Sequence, residues 1–265
     1  MEIYLPQAVR AVVGDQEYSL NGVGMSDSEV LVFPEHVLKI QPHSAETDNE
    51  SAVVRWLGGR LPAPEIPVYM VEDGTAYTLM TRVPGEMLCA GEYMASPALA
   101  VKLAADALKA LWSVDFSGCP DGVSRLTARL REAEYNVRHG LVDMENVEPE
   151  TFGEGGFGSP KELLQWLCDN RPPEDIVFTH GDLSLPNVFA QGDEISGFID
   201  LGKAGPADRW QDIAICLRSL HHNFAGAYNN GAAYPGYDPQ MLFDALGIEP
   251  DAEKIRYYIL LDELF

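Results

Sequence analysis

His180-Gly181-Asp182-Leu183-Ser184-Leu185-Pro186-Asn187 places a carboxylate five residues ahead of a carboxamide. One hairpin later comes Asp200-Leu201-Gly202, directly behind the apolar run Ile195 to Ile199. Asn187 and Asp200 offer the oxygen donors that a small hard cation such as Mg2+ takes. Asp182 is then left to accept a proton from a hydroxyl and to orient it. Glycines at 181 and 202 let the backbone turn tightly beside these groups. Each piece alone has a plain explanation: Asp-Leu-Gly is a common turn, His-Gly-Asp a loop with a satisfied histidine, and Asn after Pro186 a turn cap. The order and spacing of the set are what point to a site.

That order and spacing match two elements of protein kinases, the catalytic loop with its Asp and Asn and the Asp-Phe-Gly element. The chemistry expected is phosphoryl transfer from ATP, which needs metal-held phosphates and a positioned hydroxyl. The first eighty residues add to this. Asn21-Gly22-Val23-Gly24-Met25-Ser26-Asp27-Ser28 lies between two predicted strands and can lay backbone N–H groups on phosphates, although a glycine-rich hairpin is the plainer reading. Lys39 sits in the short strand Val37 to Ile40 and Glu50 on the helix that follows, so a Lys–Glu pair holding ATP phosphates competes with two ordinary surface charges. Met80-Thr81-Arg82-Val83-Pro84-Gly85 reads as a hinge that offers backbone N–H and C=O to adenine.

The patterning divides the chain. Strands are expected at Tyr18 to Leu20, Glu29 to Phe33, Val37 to Ile40, Val68 to Val71 and Tyr77 to Met80, around one helix, Thr47 to Leu57, that the run Leu61 to Pro64 ends. Beyond Pro84 the periodicity is helical: Pro97 to Val114, Ser124 to Arg138, Pro160 to Cys168, Asp208 to Leu220, Pro239 to Leu246 and Ala252 to Leu264. A small hairpin, Val188-Phe189 with Ile195 to Ile199, follows the apolar run Ile176 to Phe178. The expected fold is α+β and protein-kinase-like, with a β-rich N-lobe over 1–83 and a helical C-lobe over 84–265. Ligands favour the cleft between such lobes.

Composition narrows the partners. Of 265 residues, 46% are hydrophobic, which excludes wholesale disorder. Lys and Arg number 18 against 41 Asp and Glu, a formal charge of −23. Such a surface repels nucleic acid and anionic membranes and attracts polycations, beyond simply keeping a protein in solution. The opening Met1 to Pro6 lacks the basic and apolar regions of a signal peptide, and no run approaches a membrane span. The four cysteines form no CxxC pair, so free thiols in a reducing cytoplasm are expected, with no obligate protein partner. Between His139 and Pro160 there is no Lys or Arg but there are Asp143, Glu145, Glu148, Glu150 and Glu154. The end, Leu261-Asp262-Glu263-Leu264-Phe265, adds two carboxylates and the terminal one. A solvated loop and a frayed tail would explain both. A cleft ringed by carboxylates would instead take a polyamine.

These residues resemble the aminoglycoside 3'-phosphotransferases, the kanamycin kinases. The likeness covers nearly the whole chain and is strongest over Trp56 to Pro64, Val177 to Asn187, Ser196 to Leu220 and Gly247 to Phe265. The resemblance implies ATP-dependent, Mg2+-assisted phosphorylation of an aminoglycoside at its 3'-hydroxyl, with antibiotic resistance as the outcome and GTP as an alternative donor. It implies Asp182 as catalytic residue and Asn187 and Asp200 as metal ligands. Gly24, Met25 and Ser26 fall on the phosphate loop, Lys39 and Glu50 on the phosphate-holding pair, and Thr81 and Val83 at the adenine. Glu145, Asn146 and Glu148 match a loop that closes over the drug, while Lys203, Asp262, Glu263 and the Phe265 carboxylate meet the substrate. Lys203 replaces the usual Arg and lacks its planar fork. Val37 stands where a relative stacks an aromatic on adenine, and His222 where an acidic substrate contact is expected. Asn223 to Pro239 is long and rich in Gly, Asn and Tyr, and could reshape the drug pocket. Two rivals remain: a kinase of a macrolide, choline or sugar, which the acidic ring disfavours, and a pseudokinase, which the presence of Lys39, Asp182, Asn187 and Asp200 disfavours.

Overall fold

Val9 and Val13 stand four residues apart and therefore on one face of a helix, α1 (Gln7–Val13). They seal one end of a small core with Leu31, Phe33, Leu38 and Leu79. The structure is a computed structural model and describes residues 3–21, 28–120, 123–228 and 231–265. The expected phosphate-loop positions Gly24, Met25 and Ser26 lie outside the described residues.

The strands over α1 are β1 (Ser19–Asn21), β2 (Glu29–Val32), β3 (His36–Pro42), β4 (Val68–Glu72) and β5 (Thr75–Thr81). They form one antiparallel sheet in the order β1-β2-β3-β5-β4. Lys39 pairs with Thr78 across β3 and β5, in the middle of the sheet. Helix α2 (Ala45–Leu57) begins at a capping box: Ser44 Oγ accepts the Thr47 N–H, and Thr47 Oγ1 accepts the Ser44 N–H. Its Val53, Val54 and Leu57 turn into the main core.

Beyond the hinge, the chain forms β6 (Glu86–Met87), α3 (Gly91–Met94), α4 (Pro97–Trp112), α5 (Leu126–His139), α6 (Pro149–Phe152) and α7 (Pro160–Asp169). Then come β7 (Ile176–Thr179), β8 (Val188–Gln191), β9 (Glu194–Phe198), β10 (Gly205–Asp208), α8 (Arg209–Ala225), α9 (Gln240–Leu246) and α10 (Ala252–Asp262). The buried stripe Leu103, Ala104, Ala107, Leu108 and Leu111 makes α4 the central helix. A sheet β6-β8-β9 and an antiparallel pair β7–β10 lie against it. Helix α10 is bolted to the start of α8 by Asp208, whose Oδ2 accepts from Lys254 Nζ at 2.8 Å and the Tyr258 hydroxyl at 3.0 Å.

This is the expected α+β, two-lobed, protein-kinase-like architecture, with local differences. Among the described residues the N-terminal part holds a second helix, α1, which starts after Pro6 and ahead of the strands. Helix α2 ends at Leu57 as expected but starts two residues early, at Ala45 behind the Ser44 cap. Helix α8 extends to Ala225, since Asn223 and Phe224 are buried, and α10 ends at Asp262. Strand β10 was not expected; it forms because β7 is there to pair with it. Among the described residues no helix is long and apolar enough to cross a membrane.

Candidate active site

The turn after β7 is anchored from below. Asp212, fully buried in the first turn of α8, accepts the backbone N–H of His180 at 2.7 Å and of Gly181 at 2.9 Å. Burial pushes its carboxyl up to about 6, against the pull of His180 and these two donors. Gly181 has φ +86°, and a Cβ there would lie 2.2 Å from the Lys203 carbonyl oxygen, so only glycine fits. His180 is a scaffold residue: its ring is buried and Nε2 meets the Ile199 carbonyl at 2.9 Å. Asn187 closes the turn, with Nδ2 donating to the Asp182 carbonyl at 3.0 Å and its own carbonyl accepting the Ile199 N–H at 3.0 Å. Those bonds bring the ends of β7 and β9 side by side, and with them Asp182, Asn187 and Asp200. Burial raises the Asp182 pKa, opposed by the nearby Lys203 cation.

Asp200 has φ +62°, left-handed backbone rarely adopted outside glycine. Its Oδ1 lies 2.5 Å from Lys39 Nζ, and Lys39 is also 3.3 Å from Glu50 Oε2. Burial works against the Lys39 ammonium, but these carboxylates outweigh it and hold Lys39 above its usual range. For Asp200, burial is outweighed by Lys39, and its carboxyl sits below the usual value. The three line a cavity of about 200 Å³ with Ser28, Gln41 and Glu46. Among the described residues no cluster of three His, Cys, Asp or Glu side chains could cage a metal. One carboxylate and one carboxamide do fit Mg2+, which keeps waters and takes further oxygens from phosphates. With Nδ2 of Asn187 committed to Asp182, its remaining donor is the amide oxygen a hard cation needs.

On the opposite side of Asp182 the chain's end is folded in. Arg129, 2% exposed, reaches the Gly181 carbonyl at 3.3 Å and Asp262 Oδ1 at 3.4 Å, and stacks 4.3 Å over the Phe265 ring. Lys203 Nζ sits 5.7 Å from the same ring. Arg218 bonds Asp262 Oδ2 and, at 3.1 Å, Glu263 Oε1. Burial alone would raise the Asp262 pKa; Arg218 and Arg129 reverse that. Glu263 Oε2 accepts the Glu148 N–H at 2.7 Å, and the Glu148 carboxylate meets His222 Nε2 at 3.1 Å. Lys203 and Asp262 thus lie within electrostatic reach of Asp182, while Glu263 and Glu148 join this group through Arg218 and each other, and Phe265 through Arg129 and Lys203. Glu145 and Asn146 lie in an exposed turn that Asp143 organises, accepting from the Glu145 N–H at 2.9 Å and from Asn146 Nδ2 at 2.6 Å.

Residues 17–243 match the phosphotransferase enzyme family. The chain belongs to the aminoglycoside 3'-phosphotransferases within that family. An aminoglycoside 3'-phosphotransferase of Enterococcus faecalis is 39% identical over 224 residues, 83% of this chain and 79% of that one. One from Niallia circulans is 33% identical over 269 residues, covering 98% and 97%. A crystal structure of an aminoglycoside 3'-phosphotransferase of type VIII superimposes with a TM-score of 0.75 at 25% identity, over 97% of this chain and 98% of that one.

In this phosphotransferase the segment expected to form the hinge is held by its neighbours. Thr81 exchanges bonds with Glu65, its N–H to the Glu65 carbonyl and the Glu65 N–H to its hydroxyl, both at 2.9 Å. Val83 presses on Gly197, where a Cβ would come within 2.3 Å of Val83 Cγ1. Val37 is paired with Met80 across the strands that meet there. Sequence reasoning missed Arg129, Arg218 and Asp212, which arrange the phosphotransferase site from behind. The spacing held one signal: Arg218 precedes His222 by one helical turn, which puts both on one face.

Proposed function

We propose that this chain transfers the γ-phosphoryl group of ATP to the 3'-hydroxyl of an aminoglycoside such as kanamycin, and thereby confers resistance to it. The observation that carries the reading is the setting of Asp182 between two unlike groups: Asn187 and the Lys39–Asp200 pair on one side, and on the other Asp262, linked through Arg218 to Glu263 and so to Glu148, a set whose paired cations a polycation would share or displace. The first suits a metal-bound triphosphate. The second suits the ammonium groups of a polycation.

Asp182 receives the proton of the attacking hydroxyl as the new oxygen–phosphorus bond forms and the bond to the β-phosphate oxygen breaks, releasing ADP. Bound Mg2+ would supply charge stabilisation to the phosphate oxygens from Asn187 and Asp200. Lys39, oriented by Glu50, draws the phosphates into place, and Thr81 and Val83 present backbone groups to the base. Because the transition state of such transfers is loose, positioning and charge do most of the work. Gly24, Met25 and Ser26 complete the phosphate cradle. Val37 offers no ring to stack on adenine, which leaves room for GTP as a second donor. In this reading residues 1–83 hold the nucleotide and 84–265 the acceptor, with Glu145, Asn146 and Glu148 closing over it and Lys203 beside the acceptor hydroxyl. The cysteines, spread along the sequence without a CxxC pair, support a cytoplasmic site of action.

The test is ADP release with Mg·ATP against kanamycin, a 3'-deoxy aminoglycoside, a macrolide and choline. Turnover with kanamycin and none with the 3'-deoxy compound is expected. Equal turnover with both would move the target hydroxyl. Turnover with choline or the macrolide alone would replace the substrate class, and nucleotide binding without any transfer would leave a pseudokinase.

A further inference from the structure

Asn49 is a poor helix former in the second turn of α2, and it is 6% exposed. Both hydrogens of its side-chain amide are used across the interface: Nδ2 donates to the Gly202 carbonyl at 2.8 Å and to the Ala204 carbonyl at 3.0 Å. Those carbonyls lie two and four residues beyond Asp200, on the turn that leaves its left-handed backbone. The helix is seated hard against that turn, since a Cβ on Gly202 would come within 2.5 Å of Glu46 Cγ. The next residue of the helix, Glu50, holds Lys39, and Lys39 holds Asp200. Asn49 does not itself line the cavity at Lys39.

From this geometry we infer that Asn49 is a positioning residue for Asp200. It clamps the 201–204 turn to α2, so that one helix sets both the phosphate-holding cation and the metal-holding carboxylate. The inference rests on the proposed metal role of Asp200. An unbridged turn would be free to relax the left-handed residue toward ordinary backbone, which carries the carboxylate out of register. A local cost in helix propensity, with both donors satisfied on one short turn, is what a functional clamp looks like rather than a core position that any apolar residue would fill.

The test compares wild type with Asn49→Leu, which keeps the size and removes both donors. Val54→Ala serves as control, since it hollows the buried side of the same helix without touching the turn. Hydrogen exchange of the ligand-free proteins is read at 199–204, and ADP affinity is measured by calorimetry with and without Mg2+. Asn49→Leu is expected to speed exchange at 199–204 and to weaken Mg2+-dependent ADP binding by about tenfold or more, the usual effect of losing an outer support of a metal ligand. ADP affinity without Mg2+ and the aminoglycoside KM are expected to stay unchanged, while kcat falls. Val54→Ala is expected to lower Tm and leave the Mg2+ dependence alone. Where the leucine does not fold, Asn49→Ser, too short to span both carbonyls, is expected to give the same pattern. A folded Asn49 variant with wild-type exchange and wild-type Mg2+ dependence overturns the clamp, as does a Val54→Ala that reproduces the loss. If wild-type ADP affinity ignores Mg2+, the metal role of Asp200 falls, and with it this inference; an exchange difference at 199–204 then marks the bonds as structural only.

Discussion

At position 181 a side chain has nowhere to go: φ is +86° and the Lys203 carbonyl occupies the space. Gly181→Ala is expected to cost about 1–3 kcal/mol of stability through backbone strain alone, and to lower kcat because Asp182 is the next residue. Urea unfolding and steady-state kinetics check both, and a fully active, fully stable variant would contradict the geometry. Asp212 makes a pH prediction. Its folded pKa is raised from 3.8 to about 6, so the folded protein keeps a proton there that the unfolded chain releases. The associated stability is complete below about pH 4 and is lost as pH rises through about 6. The unfolding free energy of wild type minus that of Asp212→Asn is therefore expected to fall by about 2 kcal/mol between pH 4 and 7. A flat or rising difference would show the carboxyl to be charged throughout. Asp182, Asn187 and Asp200 were legible in the sequence because the chemistry demands those residue types at that spacing. Asp212, Arg129 and Asn49 were not, because they act on backbone groups 31 to 155 positions away.

Elements that repeat their own pattern, such as α4 and the β3–β5 pair, could be read from residue periodicity. Strand β10 could not, since its sequence Gly-Pro-Ala-Asp becomes a strand only against β7. The end of α8 was hidden by the polar run His221-His222-Asn223, of which Asn223 is buried and bonds back to the Ser219 carbonyl at 2.8 Å. The tail after α10 is not frayed. Leu264 is fully buried, and its carbonyl accepts from Asn136 Nδ2 at 3.0 Å. Deleting Leu264 and Phe265 is thus expected to destabilise the fold by about 2–5 kcal/mol as well as to raise the aminoglycoside KM. Phe265→Ala, which keeps the terminal carboxylate but loses the ring that anchors it on Arg129, separates the effects: KM is expected to rise with ADP affinity intact, and an unchanged KM would show that the ring does not position the carboxylate.

Across the whole molecule the charge of −23 acts as a field that gathers cations before any contact is made. Raising ionic strength from about 0.05 to 0.5 M shortens the screening length from about 14 Å to about 4 Å, so the aminoglycoside KM is expected to rise several-fold while ADP binding does not weaken. A KM that ignores salt would assign recognition to short-range contacts alone. The stretch from Asp200 to α8 has a further consequence. It is eight residues long, Leu201 to Asp208, seven of them buried and one half-buried, with no Ser, Thr or Tyr among them. A segment so short and so sheathed leaves no hydroxyl there for another enzyme to mark and no slack there to swing in or out. Any covalent control of the phosphotransferase through a hydroxyl has to act elsewhere than on that stretch.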